Sequence, residues 1–129
     1  MTGYTLSKEE RLTSLKDIDL LFEKGAGFSK YPLRLVWLVA PEPSAFPAKA
    51  VFTVSKKKFQ RAVDRNRIKR LMKESYRMLK PAFFQQIGNG RTLYLGIIFI
   101  GKEMGELAVI HNSLAKALGQ IANLAKQDE

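Results

Sequence analysis

The chain contains no cysteine, one histidine and one tryptophan. Without cysteine there is no disulfide framework and no thiolate metal site. The single imidazole, His111, is too little for a histidine-based metal centre and reads as a surface or helix-boundary residue. Acidic side chains are scarce as well: 12 Asp and Glu stand against 22 Lys and Arg. No cluster of carboxylates suggests a metal site, and no nucleophile, base and acid are grouped as a catalytic set. Long apolar runs are missing too. The longest, in TLYLGIIFIG, is about half of the ~20 residues that a membrane helix needs. The opening MTGYTLSKEERL has acidic residues and no apolar stretch of signal-peptide length. These absences lead to the expectation of a soluble, cytoplasmic protein with no membrane association and no catalytic or metal-ligating residue of its own.

What is present suits one domain. The chain has 129 residues, of which 46% are hydrophobic, enough for one core and too few for two. We expect a single domain over 1–129, with an N-terminal tail at 1–12 and a C-terminal tail at 122–129. Ser14 is a plausible N-cap for a first helix, with Leu15, Ile18, Leu21 and Phe22 at helical spacing and Gly25 ending it. A short extended piece follows around Phe28. YPLRLVWLVAP reads as a strand with Leu33, Leu35, Trp37 and Val39 on one face and Arg34, Val36 and Leu38 on the other. Trp37 is assigned to the core. AKAVFTVSKK is a second, β-branched strand, and the short loop between the two predicts a hairpin. A helix follows with Ile68, Leu71, Met72, Tyr76 and Leu79 as its apolar stripe and Pro81 as its expected stop. QQIGNGR is a turn, TLYLGIIFIGK a central strand covered on both faces, and ELAVIHNSLAKALGQIANLAK a last helix with Leu107, Ile110, Leu114, Leu118 and Ile121 facing the core. The sum is an α+β domain, helices packed on a small sheet.

The charge is unevenly placed. The formal net charge is +10, and the window Ser55–Lys80 holds eleven basic residues against Asp64 and Glu74 alone. The remainder of the chain is nearly neutral, so the charge marks a site. At 100° per residue, Asn66, Lys69, Arg70, Lys73, Arg77 and Lys80 gather opposite the apolar stripe, with Arg65 and Arg67 flanking it. A merely solvated face mixes signs for i,i+4 pairing; this one does not. Arginine outnumbers lysine between Arg61 and Arg77, and its planar fork suits phosphate. Asn66 adds a neutral donor and acceptor for phosphate or ribose. A membrane surface fits less well, because the opposite face lacks a strong aromatic anchor set. A helix-turn-helix DNA binder fits poorly, because the next helix comes only after the long apolar strand.

TVSKK followed by AVDRNRIKRLMKESYR resembles the signature of the bacterial ribonuclease P protein component, S-V-S-K-K and then A-V-x-R-N-R-I-K-R. Arg65, Asn66 and Arg67 correspond to the family's central triplet. RLTSLKDIDLLFEKG is similar to the family's first helix and LYLGIIFIGK to its last strand, so the resemblance covers about residues 11–121.

The resemblance implies a two-layer α+β sandwich with a small mixed sheet, element order α-β-β-β-α-β-α and a left-handed β-α-β crossover. It implies a ribonucleoprotein that removes the 5′ leader from precursor tRNA, with a catalytic RNA performing the hydrolysis and the protein as accessory subunit. The implied partners are that RNA and precursor tRNA, with no obligate protein partner. The implied RNA contacts are Arg65, Asn66, Arg67, Lys69, Arg70 and Lys73, with Arg61 and Arg77 at the periphery. A second implied site, a cleft for the single-stranded leader, involves Ile18, Phe22, Val36, Ser55, Lys56 and Lys102. Members often carry aromatics where this chain has Ile18 and Val36, so shape contact replaces part of the stacking there. No cofactor is implied for the protein alone, and magnesium in the holoenzyme is held mainly by RNA. A ribosomal or general RNA-binding protein without enzymatic role is the alternative that composition allows.

Overall fold

The computed structural model describes residues 8–88 and 90–127. A 3-10 turn at Lys8–Glu10 precedes α1 (Leu15–Lys24), β1 (Ala26–Lys30), β2 (Leu33–Val39), β3 (Ala48–Val54), α2 (Ala62–Ile87), β4 (Leu93–Phe99) and α3 (Leu107–Gln127). The expected α-β-β-β-α-β-α order holds. Ser14 caps α1, its hydroxyl accepting from the Asp17 amide at 3.4 Å.

The four strands form one mixed sheet in the order β1-β2-β4-β3. β1 and β2 are an antiparallel hairpin, β2 runs antiparallel to β4, and β3 lies parallel to β4. The expected hairpin of β2 with β3 does not form, because β4 sits between them. The reason is hydrophobicity. LYLGIIF is buried along nearly its whole length on both faces, and a strand of that kind belongs in the middle of a sheet, paired on both edges. Residues 40–47 carry the chain past the end of β4 instead of turning back on β2.

Strand alternation sorts the faces as the sequence indicated. Leu33, Leu35, Ala50, Phe52, Leu93, Leu95, Ile97 and Phe99 face one helical layer made by α2 and α3. Ile68, Met72 and Tyr76 from α2, and Ile110, Leu114 and Ile121 from α3, are fully buried against them. Val36 and Tyr94 face the other way and meet α1 through Leu21. Three apolar residues assigned to helical stripes stay outside: Leu15 is 78% exposed, Phe22 41% and Leu107 40%.

Pro81 does not stop α2, which continues to Ile87. A proline inside a helix costs about 3 kcal/mol through a lost hydrogen bond and a clash. Phe83 and Ile87 lie beyond it and are buried in the main core, and at about 1.5–3 kcal/mol each their burial outweighs that cost. Gly88, at φ +73, ends the helix in a backbone conformation that side-chain-bearing residues rarely adopt. Asn89 and the residues at 1–7 and 128–129 lie outside the described residues.

The segment expected as an N-terminal tail is, over residues 8–12, part of the packed structure. The Leu12 amide donates to the Ala50 carbonyl at 2.9 Å, so the segment covers the outer edge of β3. Leu12 is buried, and Glu10 reaches under it to Lys80: Nζ lies 2.8 Å from Oε2 and 3.0 Å from Oε1, with both side chains 4% exposed. The neighbouring Tyr76 hydroxyl is pushed above its ordinary titration range by burial and by the Glu10 charge. The C-terminal segment from 122 continues α3 as far as Gln127, with Ala122 and Ala125 buried.

Removing one member of a buried pair leaves the other charge without compensation. Glu10→Ala is therefore expected to cost about 3–5 kcal/mol of stability, whereas Glu10→Met with Lys80→Met costs far less. Urea unfolding of both variants checks this.

Candidate nucleic-acid interface

The basic window of the sequence separates into two populations. Five of its cations have partners inside the protein. Lys80 is withdrawn into the core by Glu10 and so leaves the outer face on which helical periodicity placed it. Arg77 is paired with Glu74, and Arg61 lies 3.9 Å from Asp64. Arg65 donates from Nη1 to the carbonyls of Phe59 and Gln60, both at 2.8 Å. It ties the lysine loop at 55–60 to the start of α2. That loop is otherwise held by the Ser55 hydroxyl, which accepts from the amides of Lys57 and Lys58, and by Phe59, packed on Phe99 at 5.8 Å between ring centres. Lys58 reaches the Ile100 carbonyl at 3.1 Å.

The second population faces solvent. Among the described residues, the side chains of Asn66, Arg67, Lys69, Arg70 and Lys73 have no hydrogen-bond or ion-pair partner. Asn66, Lys69, Arg70 and Lys73 line one groove, together with Glu74, Arg77 and Arg11. Arg67 is exposed roughly 100° further round the helix, outside this groove. Placing this density of like charge on one helix face costs repulsion, which a polyanion in the groove relieves. Arg11 was not among the residues singled out from sequence. Its only sequence signal is the charge pattern KEER, and that does not say which side chain turns inward.

The expected leader cleft lies where α1 crosses the sheet. Val36 pairs across to Gly96, and Gly96 to Val51, on the face that α1 covers. A Cβ at Gly96 would sit 3.0 Å from Phe22 Cζ and 3.3 Å from Leu21 Cδ2, so the Phe22 ring rests directly on this glycine. Phe22 remains 41% exposed, with part of its ring toward solvent. The row beyond α1 on the same face is Arg34, Ile98 and Thr53, none of them buried. The Arg34 guanidinium lies over Gly27. An exposed aromatic edge, a half-open apolar floor and an arginine thus meet in one place.

The six residues expected for this cleft do not share one role. Val36 is buried beneath Gly25, and Ile18 packs into the small core under α1; both support the floor. Phe22 forms the wall. Ser55 continues the face of Thr53 by alternation and turns the chain, with Lys56 exposed after it. Lys102 lines a different groove, with Tyr31, Met104 and Val109. Arg34, Ile98 and Thr53 were missed, although alternation along β2 set Arg34 beside Val36, and a glycine inside an apolar strand signals close approach.

The far end of α1 has the opposite sign. Asp17, Asp19, Glu23 and Glu42 surround Tyr94, whose hydroxyl titration is raised by burial and then by Asp17 and Glu42. The Arg34 and Lys56 side of the sheet carries the opposite charge. Among the described residues no group of three His, Asp or Glu is placed to hold a metal ion, and no helix is long and apolar enough to cross a membrane. His111 is half-buried on α3, and Trp37 packs against the main core with its Nε1 unpartnered.

This combination defines a small α+β protein with one strongly basic helix face. The comparisons make the assignment particular. A model of the family described as Ribonuclease P matches residues 6–122. A ribonuclease P protein component of Porphyromonas gingivalis is 36% identical over 92% of this chain and 88% of its own length. One from Acinetobacter baylyi is 35% identical over 98% and 91%. The solved ribonuclease P protein of Thermotoga maritima superposes with a TM-score of 0.67 at 21% identity, covering 86% of this chain and 96% of that one. The Staphylococcus aureus protein gives 0.64 at 21% identity, over 88% and 94%, and both show the shared fold. The chain belongs to the ribonuclease P protein family. A ribosomal or general RNA-binding protein is not favoured.

The two populations of arginine predict different losses. Arg65→Ala removes two charge-assisted hydrogen bonds and lowers stability by about 1.5–3 kcal/mol; Arg67→Ala leaves stability within about 0.5 kcal/mol of wild type. Thermal unfolding of the two variants side by side tests the division.

Proposed function

We propose that the protein is the RNA-binding accessory subunit of ribonuclease P and acts in removal of the 5′ leader from precursor tRNA. The observation that carries this reading is the basic face of α2, on which Arg67, Lys69, Arg70 and Lys73 have no partner among the described residues, on a chain of this family. Asn66, Arg67, Lys69, Arg70 and Lys73 grip phosphates of the catalytic RNA, with Arg61 and Arg77 at the edge. Arg65 serves the same surface by holding the lysine loop in place. Backbone phosphate contacts of this kind supply affinity and orientation more than sequence choice.

The cleft of Phe22, Arg34, Ile98 and Thr53 receives the single-stranded leader. A base rests on the exposed part of the Phe22 ring, and Arg34 and Lys56 neutralise the backbone beside it. One aromatic platform serves where a base-by-base reader would need several, which suits a leader of variable sequence. Hydrolysis belongs to the RNA, since the described residues offer no group arranged for acid-base or nucleophilic work. Its described residues do not fit a magnesium site of their own, so the metal that ribonuclease P chemistry needs is held mainly by RNA phosphates. The cell compartment is that of the precursor tRNA pool, the cytoplasm.

Phe22→Ala tests the cleft. With the holoenzyme, binding of precursor tRNA is expected to weaken by about 1–3 kcal/mol while binding of mature tRNA, which has no leader, is unchanged. A large fall in melting temperature with an unchanged ratio of precursor to mature affinity would instead make Phe22 a packing residue only.

A further inference from the structure

We infer that Arg11 is a phosphate-contact residue, and that the RNA-binding groove is assembled from two chain segments rather than from α2 alone. The inference rests on the proposed role of the basic face. Glu10 and Arg11 lie on a segment that runs along the edge of β3. Glu10 closes the 3-10 turn Lys8–Glu10, and Arg11, the next residue, makes the bridge to Ala50. Glu10 turns inward and is locked to Lys80 with both carboxylate oxygens within 3.0 Å of the ammonium. Arg11, one residue on, points to the opposite, solvent side. It is exposed and lines the groove with Asn66, Lys69, Arg70, Lys73 and Arg77. Its side chain has no hydrogen-bond or ion-pair partner among the described residues. The one acid in the groove, Glu74, is paired with Arg77.

The arrangement changes what the face can do. A bare helix surface meets a phosphate from one side, whereas a groove with a cation on each wall meets it from two. The buried pair gives Arg11 its position without adding net charge to the core, because Lys80 is neutralised by the residue next to Arg11. A guanidinium there presents a planar fork that a lysine does not. The ligand is the sugar-phosphate backbone of a folded RNA.

The test uses the full-length protein and the ribonuclease P RNA of its own genome, measuring log Kd against log salt for wild type, Arg11→Ala, Arg11→Lys and Arg70→Ala. Arg11→Ala is expected to weaken binding roughly tenfold and to reduce the salt slope by about 0.7–0.9, with an unchanged melting temperature. Arg11→Lys should keep the slope and lose part of the affinity. If Arg70→Ala weakens binding while Arg11→Ala matches wild type in slope and affinity, Arg11 is not a contact and this inference fails alone. If neither substitution has an effect, the basic face is not the RNA grip, and the proposed function of the helix falls with it. Should Arg11→Ala lower the melting temperature, Arg11→Gln, which keeps the aliphatic stem, replaces it in the same comparison.

Discussion

One strand demands burial on both of its faces, and the rest of the molecule is arranged to supply it. Leu93, Leu95, Ile97 and Phe99 need cover on one side, and Tyr94, Gly96 and Ile98 on the other. Each large side chain contributes about 1.5–3 kcal/mol when buried, so leaving either face open would consume most of the net stability of a domain this size. The strand takes the middle of the sheet, α2 and α3 close one face, and α1 with Leu21 and Phe22 closes part of the other. The same demand separates β2 from β3 and makes β3 an edge, which residues 11–12 then cover. Both proposed binding surfaces follow from this layout. One is the outside of the helix that the strand recruits; the other is the strip of sheet that α1 leaves uncovered.

The charges obey a second constraint, that a buried cation must be neutralised and an exposed one need not be. Lys80 and Arg65 have partners because they sit where the protein needs order: one under the N-terminal segment, the other at the lysine loop. Lys69, Arg70 and Lys73 are left without partners on the open face. Cations that the fold could have paired and did not are a stronger sign of an external anion than a count of basic residues. The mainly acidic groove beside α1 sharpens the contrast with the mainly basic groove on α2.

Much of this was legible in the sequence because periodicity is local. The α1 cap at Ser14, the two faces of β2, the stripe Ile68, Met72 and Tyr76, and the basic face of α2 all follow from spacing of 2 or 3.6 residues. What was not legible depended on distant parts of the chain. The pairing of β2 is decided by β4, more than fifty residues later in the chain. Pro81 fails to end its helix because Phe83 and Ile87 are claimed by the core. Glu10 and Lys80, 70 positions apart, cannot be matched from either neighbourhood, and Lys80 therefore looked like one more surface cation. Of the residues expected for the cleft, Val36 is buried under Gly25, and Ile18, half-buried on α1, packs against the small core. Gly96 carried the missing information: a residue without a side chain in the most apolar strand marks where the Phe22 ring sits.

The central claim is that the catalytic RNA covers the outer face of α2, while the start of α1 and the end of α3 stay open to solvent. Lysine acetylation of the free protein and of its complex with ribonuclease P RNA, read residue by residue by mass spectrometry, tests it directly. Lys69 and Lys73 should be protected on binding. Lys16 and Lys126, on α1 and at the end of α3, should react equally in both states, and Lys80, shielded by Glu10, should react in neither. Equal modification of Lys69 and Lys73 in free and bound protein would contradict the account.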